Sequence, residues 1–222
     1  MIEYIVPENI DDRILAKSAK MLSEGGTAAI PTDTSWSIVC SMNSREGIKR
    51  LKALSGDRDE RHFTLLCSDI SQFGEFCSLD NTRFRLIKRL TPGPYVFILQ
   101  TLLGTEKTLG LKRREIGIRL PDYPVPIALI NALGCPLYGI TAKRNMEEED
   151  TGEAAVSERD LSWSGFYREE TLFDGGWELD EIRGLDIILD PGEDRNRIFS
   201  TVLNISSGEV VVVREGAGPW PA

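Results

Sequence analysis

With 222 residues, 41% of them hydrophobic and 27% charged, the chain has an ordinary globular composition and enough apolar side chains for one sizeable core. No window offers the roughly 18 apolar residues of a membrane span, and residues 1–12 carry acids where a secretory signal carries lysines. A cytoplasmic protein is therefore expected, and its net charge of -9 argues against a uniformly basic nucleic-acid binder.

Hydrophobic spacing predicts a first helix over residues 11–22, with Ile14, Leu15, Ser18, Met21 and Leu22 on one face and Gly25-Gly26 as its stop. Residues 27–30 and 36–40 read as strands split by the polar turn Pro31-Thr32-Asp33-Thr34-Ser35. A second helix is predicted over 44–54 and a short strand over 63–67. Residues 73–76 and 81–90 read as helices, the latter capped by Asp80 or Asn81 and turning Phe84, Ile87 and Leu90 inward. Thr91-Pro92-Gly93-Pro94 breaks the chain before a strand at 95–99. A strand at 116–120, a helix at 124–133 ended by Gly134, and a strand at 137–141 follow. Three apolar runs, 185–189, 201–205 and 210–213, complete the set. The alternation predicts an α/β sheet covered by helices, and Ser206-Ser207-Gly208 between the last two runs makes it a mixed one.

Charge and composition divide the chain further. Residues 143–182 hold 13 acids and 4 bases, which accounts for the whole net charge, whereas residues 83–119 hold 9 bases and 2 acids. The acidic stretch, poor in aliphatics and carrying Trp163, Phe166 and Tyr167, reads as an irregular insertion. Cys40, Cys67, Cys77 and Cys135 lack the paired spacing of a zinc site or a disulfide framework, so reduced, structural thiols are expected. The single histidine, His62, excludes any site needing two.

Chemistry concentrates at strand ends. The hydroxyls of Thr32 and Thr34 follow a strand directly, where such groups hold phosphate or carboxylate, or close the turn on themselves. Lys49, Arg50 and Lys52 lead into Arg58, Arg61 and His62, a set that suits polyphosphate, diluted by Asp57, Asp59 and Glu60. Arg119 lies in an otherwise apolar strand, so it needs an internal partner or a ligand. Thr141 ends a strand just before Lys143-Arg144, and Arg214 projects from the last one.

Taken in order, Thr27-Ala-Ala-Ile-Pro31-Thr-Asp-Thr34, Lys52, Thr91-Pro-Gly-Pro94-Tyr-Val-Phe-Ile98, Gly117-Ile-Arg119-Leu-Pro121, Ser200-Thr-Val202 and Val213-Arg-Glu-Gly216 resemble the YrdC/YciO family across almost the whole chain. His62-Phe-Thr-Leu-Leu-Cys67, which includes Thr64, and Tyr95-Val-Phe-Ile98 resemble its YciO branch. The resemblance implies a single domain over 1–222, with a twisted mixed sheet, flanking helices and a basic concave face. It implies binding of ATP or another nucleotide and of RNA, double-stranded or tRNA. It also implies kinship with enzymes making L-threonylcarbamoyladenylate from ATP, L-threonine and bicarbonate for tRNA threonylcarbamoyladenosine. Mg²⁺ would arrive with ATP, and no zinc, haem or flavin is implied.

Carried over by position, Lys52 and Arg119 would be catalytic. Thr32, Thr34, Arg58, Arg61, Thr64, Thr141, Lys143, Ser200 and Arg214 would join them in binding substrate and nucleotide. Two family motifs are altered. Leu54 stands where K-x-R has its arginine, and Thr141 and Lys143 stand where S-x-N has its serine and asparagine. His62 and Val96 replace a proline and a threonine. Losing a guanidinium fork and an amide weakens phosphate binding unless Arg58, Arg61, Lys143 or Arg144 compensates. A diverged binding module without synthase activity, and a cleft serving an unrelated small molecule, are the alternatives to an enzyme.

Overall fold

The computed structural model describes residues 1–55, 63–111, 114–144 and 169–221. The elements in chain order are β1 (Ile2–Tyr4), α1 (Asp12–Ser23), β2 (Ala28–Ile30), β3 (Ser37–Ser41), α2 (Arg45–Leu54), β4 (Thr64–Leu66), α3 (Ser71–Phe76) and α4 (Asn81–Leu90). They continue with β5 (Tyr95–Gln100), α5 (Thr105–Leu109), β6 (Glu115–Arg119), α6 (Pro124–Leu133), β7 (Leu137–Thr141), β8 (Ile187–Asp190), β9 (Thr201–Asn204) and β10 (Val211–Arg214). Short 3-10 turns at Glu169–Thr171 and Gly176–Glu181 lie between β7 and β8.

Local chemistry sets the helix limits. The side chains of Asp11, Ser44 and Asp80 accept backbone N–H bonds at the starts of α1, α2 and α4. Gly134 closes α6 at φ 77°, a conformation that glycine adopts without steric cost.

The ten strands form one sheet in the order β1-β8-β2-β3-β7-β4-β6-β5-β9-β10. The pairs β1–β8, β2–β8, β4–β6 and β5–β9 are parallel, and the other five are antiparallel, so the sheet is mixed. One face carries Ile38, Leu65, Phe97, Ile118 and Tyr138 against Leu51, Phe73, Ile87 and Leu109 from α2, α3, α4 and α5. On the opposite face α1 and α6 cover β8, β2, β3, β7 and β4 through Leu22, Val125, Leu129 and Ile130. Beyond them that face carries only the strand cluster Val96, Ile98 and Val202, with Val213 beside it. The helical cover therefore stops near β6.

Two expectations need adjusting. Phe84 is 38% exposed rather than inward, because α4 rests on Leu86, Ile87 and Leu90 and Phe84 lies on the flank of that arc. Residues 145–168 of the acidic stretch lie outside the described residues; towards its end Leu172, Phe173 and Leu179 are buried, and Phe173 and Leu179 join the main core. Trp163, Phe166 and Tyr167 lie outside the described residues, as does His62. Finally, Arg50 is structural: it pairs with Asp186 at 2.8 Å and donates to the carbonyls of Gly25 and Gly184. Cys40, Cys67 and Cys77 are free and buried, and burial pushes the thiols of Cys40 and Cys77 up to about 12. No described helix is long and apolar enough to cross a membrane.

Candidate functional site

Cross-strand partners share a face of a sheet, so the registers themselves assemble a surface. Ser37 faces Thr141, Gly139 faces both Val39 and Thr64, and Thr64 faces Gly117. Arg119 lies on that same face, two residues beyond Gly117, and Arg214 pairs with Val202 across a register irregularity in β10. Ser37, Val39, Gly139, Thr141 and Thr64 belong to β3, β7 and β4, strands that α1 and α6 cover on this face, whereas Gly117 and Arg119 belong to β6, where that cover ends. Gly117 and Gly139 flank Thr64 on this face; both are buried, and the Val39 side chain fills the space beside Gly139. The hydroxyl-bearing Thr64 and Thr141 are half-buried.

The turn after β2 shows why its two threonines differ. The Thr32 hydroxyl donates to Ser35 O at 2.6 Å, and Thr34 N–H donates back to Thr32 Oγ1 at 3.2 Å, so Thr32 closes the turn on itself. The Thr34 hydroxyl instead meets Arg119. Arg119 Nη1 donates to Thr34 Oγ1 at 3.1 Å and to Ser200 Oγ at 2.6 Å, and Nη2 donates to Asp33 Oδ1 at 2.5 Å. Three chain segments distant in sequence thus meet on one guanidinium.

Arg119 is 4% exposed. Burial pushes its pKa down and the Asp33 carboxylate opposes that shift; a guanidinium stays charged nonetheless. The pairing is incomplete. Arg119 Nε and Asp33 Oδ2 are both buried, and neither has a partner among the described residues. Orphaned charged atoms of this kind are rare in folded proteins and mark a strained or functional spot.

Beside this cluster, Phe199 collects two further cations. The Arg214 guanidinium lies 4.9 Å from its ring centroid and Lys143 Nζ lies 5.7 Å away. Arg214 Nε also donates to Ser200 O at 2.9 Å, which ties it to the Arg119 group. On the far side, Arg195 Nη2 donates to Thr32 O at 2.7 Å, while its guanidinium stacks 4.3 Å over Tyr123.

Of the residues expected from sequence, the structure brings together Thr32, Thr34, Arg119, Ser200, Arg214 and Lys143, with Thr64 and Thr141 on the adjoining sheet face. Lys52 is not bonded into this group. Its Nζ donates to Gly110 O at 2.9 Å, at the end of α5. Arg58 and Arg61 lie outside the described residues. Asp33, Phe199, Tyr123 and Arg195 carry no role in the sequence reading. For Asp33 a signal existed, because a buried arginine demands an acid and this one sits between the two chosen threonines. For the other three there was none, since their roles depend on contacts across long sequence separations.

Residues 20–161 match the family described as telomere recombination (Sua5/YciO/YrdC). YciO of Escherichia coli is 35% identical over 135 residues, which cover 60% of this chain and 66% of that protein. Its crystal structure superposes with a TM-score of 0.80 at 27% identity over 100% of this chain and 98% of that one. A threonylcarbamoyl-AMP synthase of Mus musculus is 25% identical over 88% of this chain and 64% of its own length. The fold is also shared with P. abyssi Sua5 complexed with L-threonine, at TM-score 0.74 and 19% identity over 97% of this chain and 57% of that one.

Proposed function

The chain belongs to the Sua5/YciO/YrdC family, and from that premise we propose that it binds L-threonine and ATP at the Arg119 cluster and the adjoining sheet face and condenses them with bicarbonate to L-threonylcarbamoyladenylate, releasing pyrophosphate and water. The observation that carries the reading is the buried Arg119 cluster with its unpartnered guanidinium N–H and carboxylate oxygen, set on the same sheet as the half-buried hydroxyls of Thr64 and Thr141. Arg119, with Thr34 and Ser200, presents fixed donors to a carboxylate. Lys143 and Arg214 supply positive charge for phosphates, and Thr64 and Thr141 offer hydroxyls to the nucleotide. Each charge-assisted bond of this kind contributes roughly 1.5–3 kcal/mol. Catalysis is then mainly positioning and charge stabilisation, since phosphoryl and nucleotidyl transfer ask little covalent chemistry of side chains. Mg²⁺ enters as part of the Mg–ATP substrate. Among the described residues no group of three potential ligands is placed to hold a metal of its own.

A second reading has its own support. Lys52 is bonded to Gly110 O, and Leu54 stands where the synthases' arginine is expected, so the same cleft can hold a nucleotide or RNA without forming product. Pyrophosphate release from Mg–ATP with L-threonine and bicarbonate separates the two. Threonine-dependent release supports synthesis. Calorimetric binding of ATP without release supports the binding module, and RNA as its ligand requires an affinity that falls steeply with salt. Neither release nor binding overturns both.

A further inference from the structure

Arg195 spends its charge in an unusual way. Among the described residues it has no ion-pair partner, although Glu193 and Asp194 precede it directly. Instead Nη2 donates to the Thr32 carbonyl at 2.7 Å and Nη1 to the Tyr123 hydroxyl at 3.2 Å, with the guanidinium plane over the Tyr123 ring at 4.3 Å. Its own backbone is held, since Arg195 N–H donates to Asp174 O at 2.8 Å and Arg197 pairs with Asp174 at 2.7 Å.

Three segments therefore meet at this side chain: the turn after β2, the residue before α6, and the connection from β8 to β9. The first bears Asp33 and Thr34, the second follows Arg119 by four residues, and the third leads into Ser200. The chemistry of the contact gives it direction. The Thr32 carbonyl belongs to the same peptide plane as the Asp33 N–H, so fixing that oxygen fixes the plane from which Asp33 and Thr34 depart. Thr32's hydroxyl closes the turn through Ser35 O and the Thr34 N–H, and neither of those bonds involves the Thr32 carbonyl or the Asp33 N–H.

We propose that Arg195 is a positioning residue for the candidate site, a clamp that sets the Thr32–Asp33 peptide plane and so places Asp33 and Thr34 against Arg119. An arginine is required because it donates from two nitrogens while stacking on an aromatic face, and a lysine ammonium cannot do both. The ligand arm of the test rests on the L-threonine reading given above; the exchange arm does not.

The experiment compares the full chain with R195A, R195K and Y123F. Amide hydrogen exchange by mass spectrometry follows peptides covering residues 27–37, thermal melting follows the whole fold, and calorimetry follows L-threonine. Exchange in residues 31–36 rises at least about tenfold in R195A, with the remaining sheet unchanged, as expected for losing a charge-assisted bond. R195K does not restore protection, and Y123F raises exchange only a few-fold. L-threonine affinity falls in the same order as protection is lost. Unchanged protection at 31–36 in R195A overturns the proposal, and so does exchange that rises throughout the sheet with a lowered Tm, the mark of a merely structural arginine. Full rescue by R195K overturns it too. Should the unsubstituted chain bind no L-threonine, the function proposed above fails while the exchange arm still decides the clamp.

Discussion

At the end of β6 a guanidinium is buried among an aspartate, a threonine and a serine, whereas at the end of α2 an ammonium reaches across to a single carbonyl. Arg119 joins three segments of chain and is 4% exposed; Lys52 is half-buried and caps α5. The difference is one of environment rather than of charge. A strand that faces a packed interior obliges its cation to gather partners, since an unpaired buried charge costs several kcal/mol. A helix surface leaves the side chain free to snorkel toward whatever oxygen lies nearby. A site built on the first kind of residue is preorganised, while the second kind can contribute to one only by moving.

That contrast can be broken most severely at Asp33. In Asp33→Ala the guanidinium loses its carboxylate and remains buried, so urea denaturation should show a loss of about 3–5 kcal/mol. Adding Arg119→Met to the same chain should recover much of it, because an apolar side chain of similar size asks for no partner. An intact stability in Asp33→Ala would mean that the pair is not closed in solution. Ser200→Ala comes next, since it removes the acceptor 2.6 Å from Arg119 Nη1, and a cost of about 1–3 kcal/mol is expected by the same measurement.

Acid sharpens the comparison at a third, more exposed pair. Burial raises the pKa of Asp186, but hydrogen bonds from Arg50 and from the Thr27 N–H outweigh it and hold the carboxyl below its ordinary value of 3.8. A depressed carboxylate stabilises the fold above its unfolded pKa, and that contribution is lost as pH falls through the folded value. The stability difference between the unsubstituted chain and Asp186→Asn should therefore shrink below about pH 4. Both partners are about a third exposed, so the difference at neutral pH stays under about 1 kcal/mol. Smallest of all, Lys52→Ala should change stability by no more than about 0.5 kcal/mol. A larger loss would make Lys52 part of the framework and erase the contrast with Arg119.

How far the sequence foretold this arrangement varied with the range of the interaction. Helices α1, α2, α4 and α6 and most strands were legible within a residue or two, because caps and periodicity are local signals. The strand β1 was not, as three residues show no alternation and its partner β8 lies far along the chain. Nor was α5, at five residues too short for a periodic face. The order of the strands was beyond reach for the same reason: β4 sits between β7 and β6, and β5 sits beside β9. At the site, Arg119's need for partners could be inferred from its apolar neighbours, and Thr34 and Ser200 proved to be two of them. The joining of Lys143 and Arg214 at Phe199 could not, for nothing near any of the three residues announces the others.

The sheet order has a mechanical consequence. The first strand and the last occupy its two opposite edges, with eight strands between them. At a spacing of about 4.8 Å per strand, nine intervals amount to about 43 Å of ladder if the sheet were flat. A pull applied at the two ends of the chain would load that ladder sideways, along its hydrogen bonds, and edge strands would peel away one after another. Shear resistance, in which a whole ladder fails at once, would appear only if the handles were moved to interior positions.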